Sequence, residues 1–175
     1  LYGVMVDFKK PEALVSHLLV ELTYTKHMSG ETSHGIDDDG KIINSWFGGG
    51  QDLTLSCYKG FESLERMINI CALDSQFDIG DPNEPVSSSG YVSHLLMQRP
   101  CYLFNYSTIG IQRPFVKKND LDLFEKLYFD VCRLGEFNAD FKVAEPHLRN
   151  ADVLSVDFSS IKSSETDSGC YSNPN

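Results

Sequence analysis

Ile68-Asn69-Ile70-Cys71-Ala72-Leu73-Asp74-Ser75-Gln76-Phe77-Asp78 is the stretch on which the fold turns. Six largely apolar residues form a run of strand length, and a polar turn carrying two aspartates follows at once. A largely apolar run of that length, with no polar alternation, is the pattern of a strand buried on both faces, as in a parallel sheet covered by helices. Three further runs read the same way: Ile42 to Phe47, Cys101 to Tyr106 and Val153 to Phe158. Helical patterns lie between them at Leu53 to Met67, Tyr91 to Met97 and Asp120 to Leu134. The last carries Leu121, Phe124, Leu127, Tyr128 and Val131 on one stripe, with Asn119 or Asp120 as N-cap and Gly135 as stop. The aromatic cluster of Phe124, Tyr128 and Phe129 is assigned to the core. Alternating strands and helices predict an α/β fold of three α/β/α layers around a mainly parallel sheet.

The flanks are less regular. Pro11 to Tyr24 reads as a helix with proline at its first position, and Lys26 to Gly40, acidic at Asp37, Asp38 and Asp39, reads as a loop. The apolar start from Leu1 to Phe8 lacks a basic lead and a cleavage site, so no signal peptide is read there. The tail after Ser159 is serine-rich and has no closing element, which predicts an incomplete domain. At 175 residues one domain is expected.

Charge and cysteine usage narrow the partners. A formal net charge of -10 repels nucleic-acid backbones and anionic membranes, and no apolar run approaches the roughly 20 residues of a bilayer span. The five cysteines, Cys57, Cys71, Cys101, Cys132 and Cys170, are odd in number and form no C-x-x-C pair, which predicts reduced thiols and a cytoplasmic protein.

Ligands of an open parallel sheet gather at the carboxyl ends of its strands. Those ends carry Gly48-Gly49-Gly50-Gln51-Asp52, then Asp74-Ser75-Gln76-Phe77-Asp78, then Ser155-Val156-Asp157-Phe158-Ser159. Taken singly, the aspartates have structural explanations: Asp52 caps a helix, Asp78 a turn, and Asp157 accepts backbone amides. Converging on one rim, Asp74, Asp78 and Asp157 make an oxygen-rich pocket suited to a hard divalent cation. The glycine triplet alone would also suit a flavodoxin-like or nucleotide-binding domain, but Asp52 beside it repels phosphate.

These segments resemble the arginase, agmatinase and formimidoylglutamase (ureohydrolase) superfamily. Its members carry Gly-Gly-(Asp/Gly)-His, Asp-Ala-His-x-Asp and Ser-x-Asp-x-Asp-x-x-Asp-Pro segments after successive strands. The likeness covers roughly Ile43 to Asn175. Leu103 to Ser107, Glu125 to Asp130 and Arg149 to Ser155 look like a formimidoylglutamase-like branch common in Bacteroidetes-type bacteria. The resemblance implies an arginase-like fold in which two manganese ions activate water against a guanidinium or formimino carbon. Mapped position by position, Asp74 and Asp157 match bridging ligands and Asp78 a ligand of the first metal. Gln51 stands where that metal's histidine belongs, Gln76 and Ser159 replace second-site ligands, and Lys162 falls on the last aspartate.

The resemblance thus implies a degenerate dinuclear centre with weak or no hydrolysis of linear amidines. The cofactor is one divalent ion (Mn, Mg or Ca) at Asp74, Asp78, Asp157 and Gln51, or none, and no catalytic residue is assigned. The alternative is an active amidinohydrolase using such metal. A small guanidino or formimino substrate and a homo-oligomer are the implied partners. Of the histidines, His94 on a helical stripe is considered for a proton shuttle; His17, His27, His34 and His147 have no metal-ligand spacing.

Overall fold

The computed structural model describes residues 2–8, 31–36, 42–47, 50–157 and 160, the first three segments as backbone. The elements run β1 (Tyr2–Phe8), β2 (Glu31–Ile36), β3 (Ile42–Phe47), α1 (Leu53–Ser63), β4 (Ile68–Leu73), α2 (Tyr91–Leu96) and β5 (Leu103–Ile111). They continue with α3 (Lys118–Lys126), β6 (Asp130–Arg133), α4 (Leu134–Ala139), α5 (Glu145–Asn150) and β7 (Val153–Asp157). Among the described residues the strands form one sheet in the order β2-β3-β1-β7-β4-β5-β6. The β7-β4-β5-β6 half is parallel. The β1, β2 and β3 strands continue it with antiparallel pairing, so Ile42–Phe47 runs antiparallel to both of its neighbours.

The parallel half is buried on both faces, and side-chain parity sorts its residues between two cores. Ile68, Ile70 and Ala72 of β4, with Val153 of β7, join Leu53, Tyr58, Tyr91, Leu95 and Phe124 from α1, α2 and α3. Cys71 of β4 faces the other way with Ile109 and Cys132, against Ala144 and the partly buried Leu73, Phe137 and Leu154. Helices therefore cover both faces, giving the three layers expected from the alternating pattern. Within this core, burial pushes the Cys57 thiol up to about 12 and the Cys71 thiol up to about 11, which leaves both unreactive. No helix of the described residues is long and apolar enough to cross a membrane.

Several boundaries differ from the periodic reading, each for a local reason. The expected helix from Asp120 to Leu134 is three elements: α3, β6 and the start of α4. Tyr128 takes a left-handed φ of 57°. Its N–H bonds to the Glu125 carbonyl, and that of Phe129 to the Phe124 carbonyl. This is a Schellman stop closed by the edge-on Phe124–Phe129 ring pair, 5.5 Å between centroids. The freed Val131 and Cys132 then pair with Thr108 and Ile109. Helix α1 stops at Ser63 rather than Met67 by the same device, with Glu65 at φ 52° and the Arg66 N–H on Phe61. Tyr128 is 90% exposed, which removes it from the core cluster that its neighbours Phe124 and Phe129 do form.

Three further expectations shift. The N-terminal position of α3 falls on Lys117, not Asn119 or Asp120, and Gly135 lies inside α4. Strand β5 begins at Leu103 and continues to Ile111, because the β-branched Thr108 and Ile109 keep pairing beyond the first apolar run. Glu31–Ile36, within the segment read as loop, pairs with β3 as a strand. The helix expected at Pro11 to Tyr24, together with His17, His27, Phe158, Ser159, Lys162 and the serine-rich tail, lies outside the described residues.

Candidate functional site at the carboxyl rim of the sheet

Strand parity determines which face of the rim each polar side chain joins. Asp74 follows Ala72 on the even positions of β4, and Ser155 and Asp157 follow Val153 on the odd positions of β7. Both sets project toward the α1 and α2 side, where Gln51 immediately precedes α1. Gln51, Asp74, Asp78, Ser155 and Asp157 are all buried there.

The backbone around them is tightly constrained. Asp74 N–H bonds to the Ile109 carbonyl at 3.0 Å, and Gln112 N–H to the Ser75 carbonyl at 3.0 Å, so β5 carries the turn past the end of β4. Gly110, at φ 100°, permits that passage: a side-chain carbon there would lie 3.1 Å from the Asp74 carbonyl oxygen. Asp78 adopts a left-handed φ of 50°, which reverses the chain. The segment after it is held on α2 by the Ile79–Tyr91 bridge and by the Ser93 hydroxyl, which donates to the Gly80 carbonyl at 2.7 Å.

At the centre is the Gln51 side-chain amide. The nitrogen of this amide is assigned to the acids because an oxygen there would face only acceptors; so assigned, it donates to Asp78 Oδ2 at 2.8 Å and to Asp74 Oδ2 at 2.9 Å, while its oxygen accepts from Ser155 Oγ at 3.3 Å. Thr54 Oγ1 in turn donates to Ser155 Oγ at 2.8 Å. Tyr91 and Tyr106 hydroxyls meet at 2.7 Å beneath this layer, and Tyr91 is also bonded to Ser155. Asp74 Oδ1 accepts the Gln76 backbone N–H at 3.0 Å, and the Gln76 side chain bonds to Asp78, so this residue serves the site through both.

Asp74 and Asp78 also bond to each other through their carboxyl groups. Burial, and then the neighbouring Asp74 charge, push Asp78 up to about 10. Burial raises Asp74 as well, but the hydrogen bond from Asp78 opposes that shift. Asp78 therefore holds a proton at neutral pH and is hydrogen-bonded to the Asp74 carboxyl group. Asp157 lies close enough for its charge to act on both. The tyrosines, fully enclosed, are pushed well above the phenol range and stay neutral donors.

The rim thus brings together Gln51, Asp74 and Asp78 by direct hydrogen bonds, with Asp157 beside them. Ser159 lies outside the described residues. Asp52 occupies the N-cap position of α1 but makes no side-chain capping bond. His94 sits in the last turn of α2, the helix that contributes Tyr91 to the network from its first turn. Thr54, Tyr91 and Tyr106 belong to the site without having been singled out from sequence. Thr54 was accessible in principle, since it lies one helical turn beyond Gln51; the tyrosines carried no local signal.

No family model matches the chain, and no curated protein matches it. Among solved structures it is similar to formiminoglutamase from Trypanosoma cruzi, whose crystal structure contains Mn2+. The TM-score is 0.51 at 17% identity, over 59% of this chain and 36% of that one. The fold is arginase-like. The chain spans about a third of the length of that arginase-fold enzyme.

The metal implied by such a fold meets a chemical test in the donors themselves. A divalent ion needs lone pairs, and on Asp74 and Asp78 those facing inward are taken by the two N–H bonds of Gln51 and by a shared proton. Among the described residues, no group of three or more His, Cys, Asp or Glu side chains is arranged to hold a metal ion. In this arrangement the residues present do not fit the ion.

Proposed function

We propose that this chain is a formimidoylglutamase-like member of the arginase fold whose hydrolytic centre is closed, and which serves as a binding or structural module. The observation that carries this reading is the Gln51 amide 2.8 and 2.9 Å from two buried carboxylates, where only its nitrogen finds acceptors. Hydrolysis of an amidine needs an activated water at the reacting carbon, and an uncharged amide neither generates hydroxide nor leaves room for it between Asp74 and Asp78. The departures at Gln51, Gln76 and Ser159 point the same way.

The ligand class kept by this reading is a small guanidino or formimino compound, bound by a cytoplasmic homo-oligomer with no nucleic-acid or membrane role. A net charge of -10 supports the preference for a cationic ligand. The test is release of urea or formamide from arginine, agmatine and formiminoglutamate in the presence of added Mn2+. No release above the uncatalysed rate is expected. Robust turnover of any of them would replace this reading with an active amidinohydrolase holding one metal at Asp74, Asp78, Asp157 and Gln51.

A further inference from the structure

Resting on the closed-centre reading, we infer that the Gln51 amide is a built-in substitute for a cation. It holds the Asp74–Asp78–Asp157 rim together without a divalent ion, and only its replacement by a further carboxylate makes a site that takes one. A buried acidic cluster needs positive partners, and an amide NH2 group offers two polarised hydrogens diverging from one nitrogen. Here both are used on different carboxylates, at 2.8 and 2.9 Å, and the nitrogen bridges the two side chains from between them.

The amide is also held in that orientation. Ser155 Oγ donates to its oxygen at 3.3 Å and receives from Thr54 Oγ1 at 2.8 Å, so a hydroxyl relay from α1 and β7 turns the nitrogen toward the acids. Gln51 itself is 1% exposed and directly precedes α1, so the bridge is internal rather than a surface contact in exchange with water. A side chain held this firmly competes with any ion at an effectively fixed position, without an association step.

The experiment compares the full chain with Gln51→Ala and Gln51→Glu. Each is measured by thermal unfolding with EDTA and with MnCl2, and by Mn2+ binding followed through loss of the free-ion electron paramagnetic resonance signal. For the unaltered chain the expected result is no Mn2+ uptake and the same Tm in both buffers. Both variants are expected to melt lower in EDTA. Gln51→Glu, which adds a fourth carboxylate, then gains about 5 °C or more at Mn2+ near 100 times its Kd, whereas Gln51→Ala, left with three carboxylates not arranged to hold an ion, gains nothing.

Stoichiometric Mn2+ uptake by the unaltered chain, lost on Gln51→Ala, would overturn the inference and make Gln51 a ligand. If Gln51→Glu does not fold without metal, refolding in MnCl2 is the readout for that variant. Folded Gln51→Glu that neither binds Mn2+ nor is stabilised by it would also overturn the inference. Amidine turnover without any Mn2+ response would instead remove the closed-centre reading and leave the amide bridge standing.

Discussion

Both rims of the parallel sheet use the same chemical pair, an amide donating to a carboxylate, in different surroundings. At the amino rim, Asn69 Nδ2 donates to Asp152 Oδ2 at 3.1 Å, its backbone N–H reaches the same oxygen at 2.8 Å, and Asn105 Nδ2 donates to Asp130 Oδ2 at 2.9 Å. These pairs border an open cavity of about 640 Å3 that also exposes Phe104 and Tyr128. At the carboxyl rim, Gln51 makes the equivalent bonds to Asp74 and Asp78 in a buried pocket. Water competes fully for the exposed Asn105–Asp130 bond, in part for the half-buried Asn69–Asp152 bonds and for almost none at the second rim, so similar geometry carries different energetic weight.

The largest effect is expected from Gln51→Leu, which fills the space but takes one donor from each of two buried carboxyl groups. Chemical unfolding should show a loss of about 3 kcal/mol. A loss no greater than that of an amino-rim variant would remove the contrast between the rims.

A pH test sharpens it further. In the unfolded chain Asp78 titrates near the ordinary value of about 4, and in the folded chain near 10. The folded state therefore binds the proton more tightly. Its stabilising contribution is complete below about pH 4 and declines as pH rises toward 10. Asp78→Asn, which keeps an N–H where the shared proton lies, should flatten that decline. An unchanged slope of stability against pH would mean that the pair shares no proton.

Ser155→Ala removes the hydroxyl that receives from Thr54 and orients Gln51, with an expected loss of about 1 kcal/mol in the same unfolding measurement. Asn105→Ala at the opposite rim should be the smallest change, within about 0.5 kcal/mol of the unaltered chain. A larger loss there than at Ser155 would reverse the ranking of the two rims.

Much of the architecture was legible from local pattern. Ile42–Phe47 and Ile68–Leu73 have the predicted bounds, and the expected start of the last strand at Val153 is also found. The helix ends were not legible, because the Schellman positions are filled by Glu65 and Tyr128 in place of glycine. For the same reason β6 was read as helix: Leu127, Tyr128 and Val131 continue a stripe whose backbone has already reversed.

The amino-acid sequence by itself determined which runs are strands, which strand ends are acidic, and that amides stand among the carboxylates. Those properties depend on neighbours a few residues apart. Only the tertiary structure set the Gln51 amide between Asp74, Asp78 and Ser155, where hydrogen-bond complementarity turns its nitrogen to the acids, and placed Thr54 and Tyr91 around it. An amide is both donor and acceptor, so its role is set by the groups that the folded chain places on either side of it.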